Sequence, residues 1–107
     1  MRAIYRYEVP VDGQWHAIDL YDALRGWPNR NPILSVASRT PEIVEFWAEF
    51  DDDAEKGGIF TRHFQVFGTG QPLPDGHIQY VGTTLAADGQ LVWHLHEAIP
   101  DMLGRLP

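Results

Sequence analysis

The chain has 107 residues, 44% hydrophobic and 21% charged, proportions that suit a single globular β domain spanning residues 1–107. Fifteen acidic against eight basic side chains leave a net charge of −7 with no Lys/Arg cluster, which argues against direct binding to nucleic acid or to an anionic membrane surface. Cysteine is absent, so disulfides, thiolate metal sites and a cysteine nucleophile are excluded together.

Residues 3–9 alternate, with Tyr5, Tyr7 and Val9 on one side and Ile4, Arg6 and Glu8 on the other. That period and the aromatic content predict a strand, not the apolar h-region of a signal peptide. No apolar run reaches the length of a membrane span, and a cytoplasmic protein is expected. Pro10, Asp12 and Gly13 mark a turn, after which residues 14–18 return as a hairpin partner. Asp19 is placed to cap a single helical turn over residues 20–25, closed by Gly26 and Pro28.

Residues 33–38 form the third expected strand, with Leu34 and Val36 pointing the same way. Residues 43–50 form the fourth, with Val44, Phe46, Ala48 and Phe50 on a buried face and Glu45, Trp47 and Glu49 on a wet one. An acidic hairpin connection, residues 51–58, leads to a fifth strand whose buried side is Phe60, Phe64 and Val66. Two further strands, residues 77–85 and 91–97, meet at Asp88-Gly89, a type I′ hairpin signal. A two-residue turn there sets Thr84 opposite Trp93, Thr83 opposite His94 and Gly82 opposite Leu95. Tyr80, Gly82, Thr84, Leu91, Trp93 and Leu95 then line one face, and a side chain at Gly82 would collide with a neighbouring element. The sum is an all-β fold: a small antiparallel sandwich or partly closed barrel of about seven strands with one short helix.

Several constellations invite chemistry. His94 and His96 lie two apart on a strand and project to one face, so they offer two imidazoles to a metal, with His63 as third ligand if its strand is adjacent. Glu97 points the other way. Against this stands a plain structural role, in which His94 pairs across the hairpin with Thr83 and His96 is a half-exposed surface residue. Gly68-Thr69-Gly70 follows a strand as a phosphate loop does, but Pro72 and Pro74 prevent a helix from opening there. Glycines at positive φ explain the loop better, at Gly68 or Gly70 and again at Gly89. Asp51, Asp52, Asp53 and Glu55 lack the calcium-loop spacing, and Ser35 and Ser38 lack a nucleophile-elbow signature. Trp47, flanked by Glu45 and Glu49, is an aromatic on a wet face and the strongest interface candidate, unless its own chain covers it. The acidic flanks would guard an unclosed sheet edge.

Three segments together carry a family resemblance. These are Ile4-Tyr5-Arg6-Tyr7-Glu8, then Phe46-Trp47-Ala48 with Asp51, and the long match from Phe64-Gln65-Val66-Phe67-Gly68-Thr69-Gly70 through Tyr80-Val81-Gly82-Thr83 to Leu91-Val92-Trp93-His94-Leu95-His96-Glu97. With them the chain resembles a family of small uncharacterised β-rich proteins of bacteriophages and of bacterial, especially actinobacterial, genomes. It departs from that pattern between Ile18 and Ile33, where a longer segment stands in place of a short Met-Pro turn, and it extends past the usual end over residues 100–107. The resemblance implies a compact β fold and a phage or prophage context, with no activity, cofactor or catalytic residue. The expected function is a non-enzymatic accessory protein that docks onto another protein or onto itself as a homodimer. The alternative is a small metal-dependent enzyme or ligand-binding protein using the His63/His94/His96 face.

Overall fold

Alternating apolar and polar residues become strands at seven places in the structure, a computed structural model that describes residues 1–22, 33–51 and 58–107. The strands are β1 (Arg2–Pro10), β2 (His16–Asp22), β3 (Ile33–Thr40), β4 (Ile43–Asp51), β5 (Gly58–Gly68), β6 (Ile78–Leu85) and β7 (Val92–Ala98). They form two antiparallel sheets, one ordered β1-β4-β3 and the other β2-β5-β7-β6, so the fold is an open sandwich and not a closed barrel. The inner faces meet in a core of Val9, Leu20, Val44, Phe46, Ala48, Phe64, Val66 and Leu95. Phe46 of the smaller sheet and Phe64 of the larger one bring their ring centroids within 4.7 Å and tie the layers together.

The expected helical turn is not found among the described residues. Leu20 and its two successors belong to β2, which pairs with β5 from His16 opposite Phe64 to Asp22 opposite Gly58. Leu20 is buried in the core, and that gain from long-range pairing outweighs the local capping signal of Asp19. Residues 23–25, the rest of that turn, lie outside the described residues, as does the segment that departs from the family pattern as far as residue 32. The first two strands do not form a hairpin either: β1 pairs with β4 and β2 with β5, in opposite sheets. The acidic connection after β4 likewise joins strands of different sheets, and its residues 52–57 are not described.

Bulges change which side chains face the core. Ile33 pairs with Ala48 but Ser35 with Trp47, so β3 carries an extra residue there and Leu34 is turned outward, away from Val36; a second register shift follows between Ala37 and Thr40. Tyr80 pairs with His96 but Gly82 with Leu95, so Val81 is the extra residue in β6. Val81 packs on the core and Tyr80 is 58% exposed, against the expectation that Tyr80 and Gly82 share a face. Beyond the bulge the expected register holds, with Gly82, Thr83 and Thr84 opposite Leu95, His94 and Trp93.

The β6–β7 connection is not the expected type I′ turn. Gly89 N–H donates to the Ala86 carbonyl at 2.9 Å, Ala86 N–H donates to the Leu91 carbonyl, and the Asp88 carboxylate accepts from Gln90 N–H. Asp88 does not take the positive φ that the first central residue of a type I′ turn needs; Gly89 alone does, at +73°. Gly70, at φ +86°, is the other expected left-handed glycine. Of the side chains expected inside, Val44, Phe46, Phe64, Val66 and Leu95 are buried, whereas Phe60 and Trp93 are half-buried.

Candidate interaction face

The outer face of the three-stranded sheet is built around β4. Because β4 is the central strand, its backbone is paired on both sides, and the edges of that sheet are β1 and β3. Glu45, Trp47 and Glu49 therefore rise from the middle of a face and do not guard an edge. Arg6 of β1 and Ser35 of β3 sit directly opposite Trp47, Glu8 sits opposite Glu45 and Ile4 opposite Glu49.

Glu45 is only 2% exposed although it lies on the side expected to be wet. Two arginines from the flanking strands close over it. Arg39 donates from Nη2 to Oε2 at 2.7 Å and from Nε to Oε1 at 3.0 Å, and Arg6 donates from Nη1 to Oε2 at 2.8 Å. The Arg39 hydrogen bonds foremost, with Arg6 adding to them, hold the Glu45 carboxyl at about 2 against the opposing effect of its burial. Arg39 then extends over the indole of Trp47, its guanidinium carbon 5.6 Å from the ring centroid.

This arrangement makes acid stability a test. Glu45 titrates lower in the folded chain than its ordinary 4.5, so its contribution is fully present above that pH and is lost as the pH falls toward about 2. Melting temperature measured across that window is expected to fall more steeply for the native chain than for Glu45→Gln. Parallel curves would contradict the account.

Trp47 is half-buried beneath Arg39 and is not enclosed. Beside it the face is apolar: Ile4 is 62% exposed, and Leu34, turned outward by the β3 bulge, is 49% exposed. A shallow depression between them is lined by Ala3, Ile4, Leu34 and Glu49. Alternation alone could have suggested Ile4. Leu34 depended on the bulge, and the two arginines depended on strand order.

The histidines lie on the opposite side of the molecule, on the outer face of the larger sheet. β5 and β7 are adjacent, as a three-histidine site would need, with His63 opposite Ala98 and Gln65 opposite His96. His94, however, has both ring nitrogens engaged. Nδ1 shares a hydrogen bond with Thr83 Oγ1 at 3.0 Å, Nε2 shares one with Thr69 Oγ1 at 2.9 Å, and Thr83 in turn meets the Tyr80 hydroxyl at 2.6 Å. The cross-hairpin Thr83 partner was legible in the sequence; Thr69 and Tyr80 were not. His96 stands edge-on to Phe67 and Tyr80, with Nδ1 buried, and burial foremost lowers its pKa. Among the described residues no three His, Asp or Glu side chains converge as a metal-binding group. Glu97 faces inward, as expected, and forms an ion pair with Arg62. The Gly68-Thr69-Gly70 loop closes on itself: Gly68 N–H donates to Gln71 Oε1 at 3.0 Å, and Gln71 N–H donates to the Gly68 carbonyl at 3.1 Å. The Gly68 and Gln71 amides are thus used internally and not presented to an anion.

The domain of unknown function DUF7352 matches residues 1–102. The chain belongs to that family. The matched span of this DUF7352 domain takes in all seven strands, and with them both the Trp47 face and the histidine face. Residues 103–107 lie beyond the match, and there the Pro107 carbonyl accepts a hydrogen bond from Trp15 Nε1 at 3.1 Å. No curated protein and no solved structure matches the chain. No helix among the described residues of this DUF7352 domain is long and apolar enough to cross a membrane.

Proposed function

We propose that this DUF7352 domain is a non-enzymatic binding module that docks through the outer face of its three-stranded sheet, either onto a partner protein or onto a second copy of itself. The observation that carries the reading is the exposure of Ile4 and Leu34 beside a half-buried Trp47, with Arg6, Arg39 and Glu49 around them. An aromatic anchor and aliphatic neighbours within a charged rim is the common anatomy of a protein interface. A two-fold pair is the simplest self-association for such a face, because each copy would present the same patch to the other. The resemblance carried by the strand and loop segments supports an accessory role in a phage or prophage setting, within the cytoplasm.

The metal-dependent alternative has less behind it, since a metal at His94 would displace hydrogen bonds to Thr69 or Thr83. The test is solution mass by sedimentation over a concentration series, together with capture of partners from a natural host. Trp47→Ala is expected to weaken the association by about tenfold or more, as loss of a central anchor does. A monomer at every concentration, with host-protein capture unchanged by Trp47→Ala, would overturn the proposal.

A further inference from the structure

A second feature lies at one end of the sandwich, apart from the Trp47 face, and does not depend on it. A cleft of about 480 Å³ opens between the turn after β1, the β3–β4 turn and the β6–β7 turn. Its walls are Val11, Pro41, Leu91 and the half-buried indole of Trp93, and Glu42 and Asp88 add two carboxylates. Among the described residues lining it, none is basic. The volume is within the range of sites that hold small groups, and the lining combines an apolar wall with two acidic residues.

The backbone shows how Glu42 reaches this position. Thr40 pairs with Ile43, so Pro41 and Glu42 form a two-residue turn. The proline ring fixes its own φ near −65°, and Glu42 sits at φ +65°, the place that Gly or Asn takes in a type II turn. Its carbonyl accepts from Val11 N–H at 2.8 Å, which ties the turn to the end of β1. Among the described residues Glu42 is the one non-glycine at positive φ. A glycine would relieve the strain but would remove a carboxylate from the cleft.

We propose that this cleft receives an arginine side chain from a basic segment of a partner protein. The chemistry fits on three counts. A guanidinium stacks on an indole face, its stem lies against Val11, Pro41 and Leu91, and its planar donors match carboxylates at the rim. The chain's net charge of −7 favours approach of a basic segment over an acidic one.

The test uses the whole chain, labelled for NMR, and titrates it with blocked arginine (N-acetyl-arginine N-methylamide). Its neutral isostere, blocked citrulline, is the control. Arginine is expected to shift the Trp93 indole N–H and the amides of Asp88, Gly89 and Gln90 saturably, while the amides of Trp47 and Glu49 stay in place. Citrulline should bind about tenfold more weakly or worse, because it lacks the charge-assisted hydrogen bonds. Glu42→Gln and Asp88→Asn should each weaken arginine several-fold, and added salt should do the same. Glu42→Gly is expected to lose affinity while its melting temperature rises, which separates loss of the carboxylate from damage to the fold. Citrulline binding as well as arginine, or no saturable shift at the cleft, would overturn the proposal. Shifts confined to Trp47 and its neighbours would also overturn it while leaving the sheet-face reading intact.

Discussion

Replacing Glu97 with leucine is expected to cost the protein about 3–5 kcal/mol of stability. Glu97 and Arg62 project from neighbouring strands into the space between the sheets, where their side chains are 2% and 6% exposed. Arg62 donates from Nε to Oε2 at 2.9 Å and from Nη2 to Oε1 at 2.8 Å, a two-pronged pairing of planar groups. Arg62 also lies over the Phe64 ring, 5.6 Å from its centroid, so it cannot swing to water without disturbing the core. Removing the carboxylate takes this two-pronged partner from a buried guanidinium, and breaking a buried ion pair from one side costs about 3–5 kcal/mol out of a total stability typically near 5–15 kcal/mol. Replacing both residues, as in Arg62→Met with Glu97→Leu, takes out the two charges together and is expected to recover part of the loss. Urea unfolding of the two single variants and the double variant measures this directly. A Glu97→Leu protein within about 1 kcal/mol of the native chain would refute the account.

The next largest effect is expected at Gly82. A β-carbon built there stands 2.6 Å from Val36 Cγ2 and 3.3 Å from Val36 Cβ. Val36 belongs to β3 of the facing sheet and packs on the core, so β6 and β3 approach each other at the one position where β6 has no side chain. Val36 is β-branched and stiff at χ1, which leaves little rotamer freedom to absorb the contact. Gly82→Ala should therefore cost about 1–3 kcal/mol, and Gly82→Val about 3 kcal/mol or more, through overpacking. Val36→Ala in the same chain should return part of the loss for Gly82→Ala, because it vacates the space the new methyl needs. If Gly82→Ala melts at the native temperature, the two sheets are not in close contact there.

Much of the fold was legible because it is periodic. The alternation in residues 3–9 and 43–50 needed no partner to be recognised, and the β6–β7 register followed from the position of Asp88-Gly89. Gly82 was readable for the same reason: a glycine opposite a core leucine implies a close neighbour, and the structure supplies Val36. What was not legible depended on partners far along the chain. A helical turn and a strand end differ little in local propensity at Leu20, and only its pairing with Phe60 decides between them. The bulges at Leu34 and Val81 leave no clear mark in composition, yet each reverses the facing of nearby side chains. Glu45 had the pattern of a wet-face residue, and its burial became visible only once β1 and β3 were known to flank β4.

The sheet order also sets how the molecule must assemble. Two strand pairs are local, β3 with β4 and β6 with β7, and each can close as soon as its own turn forms. The other two N-terminal strands must wait. β1 needs β4, with Tyr5 opposite Ala48 and Tyr7 opposite Phe46, and β2 needs β5, with Leu20 opposite Phe60. Closing such loops loses chain entropy before any core contact repays it, so folding belongs to the slow, millisecond-to-second regime of all-β domains. During synthesis β1 and β2 leave the ribosome before their partners and are therefore docked only after β4 and β5 have followed them out. Until then Tyr7 and Val9, covered in the finished fold, remain open on the nascent chain and within reach of chaperones.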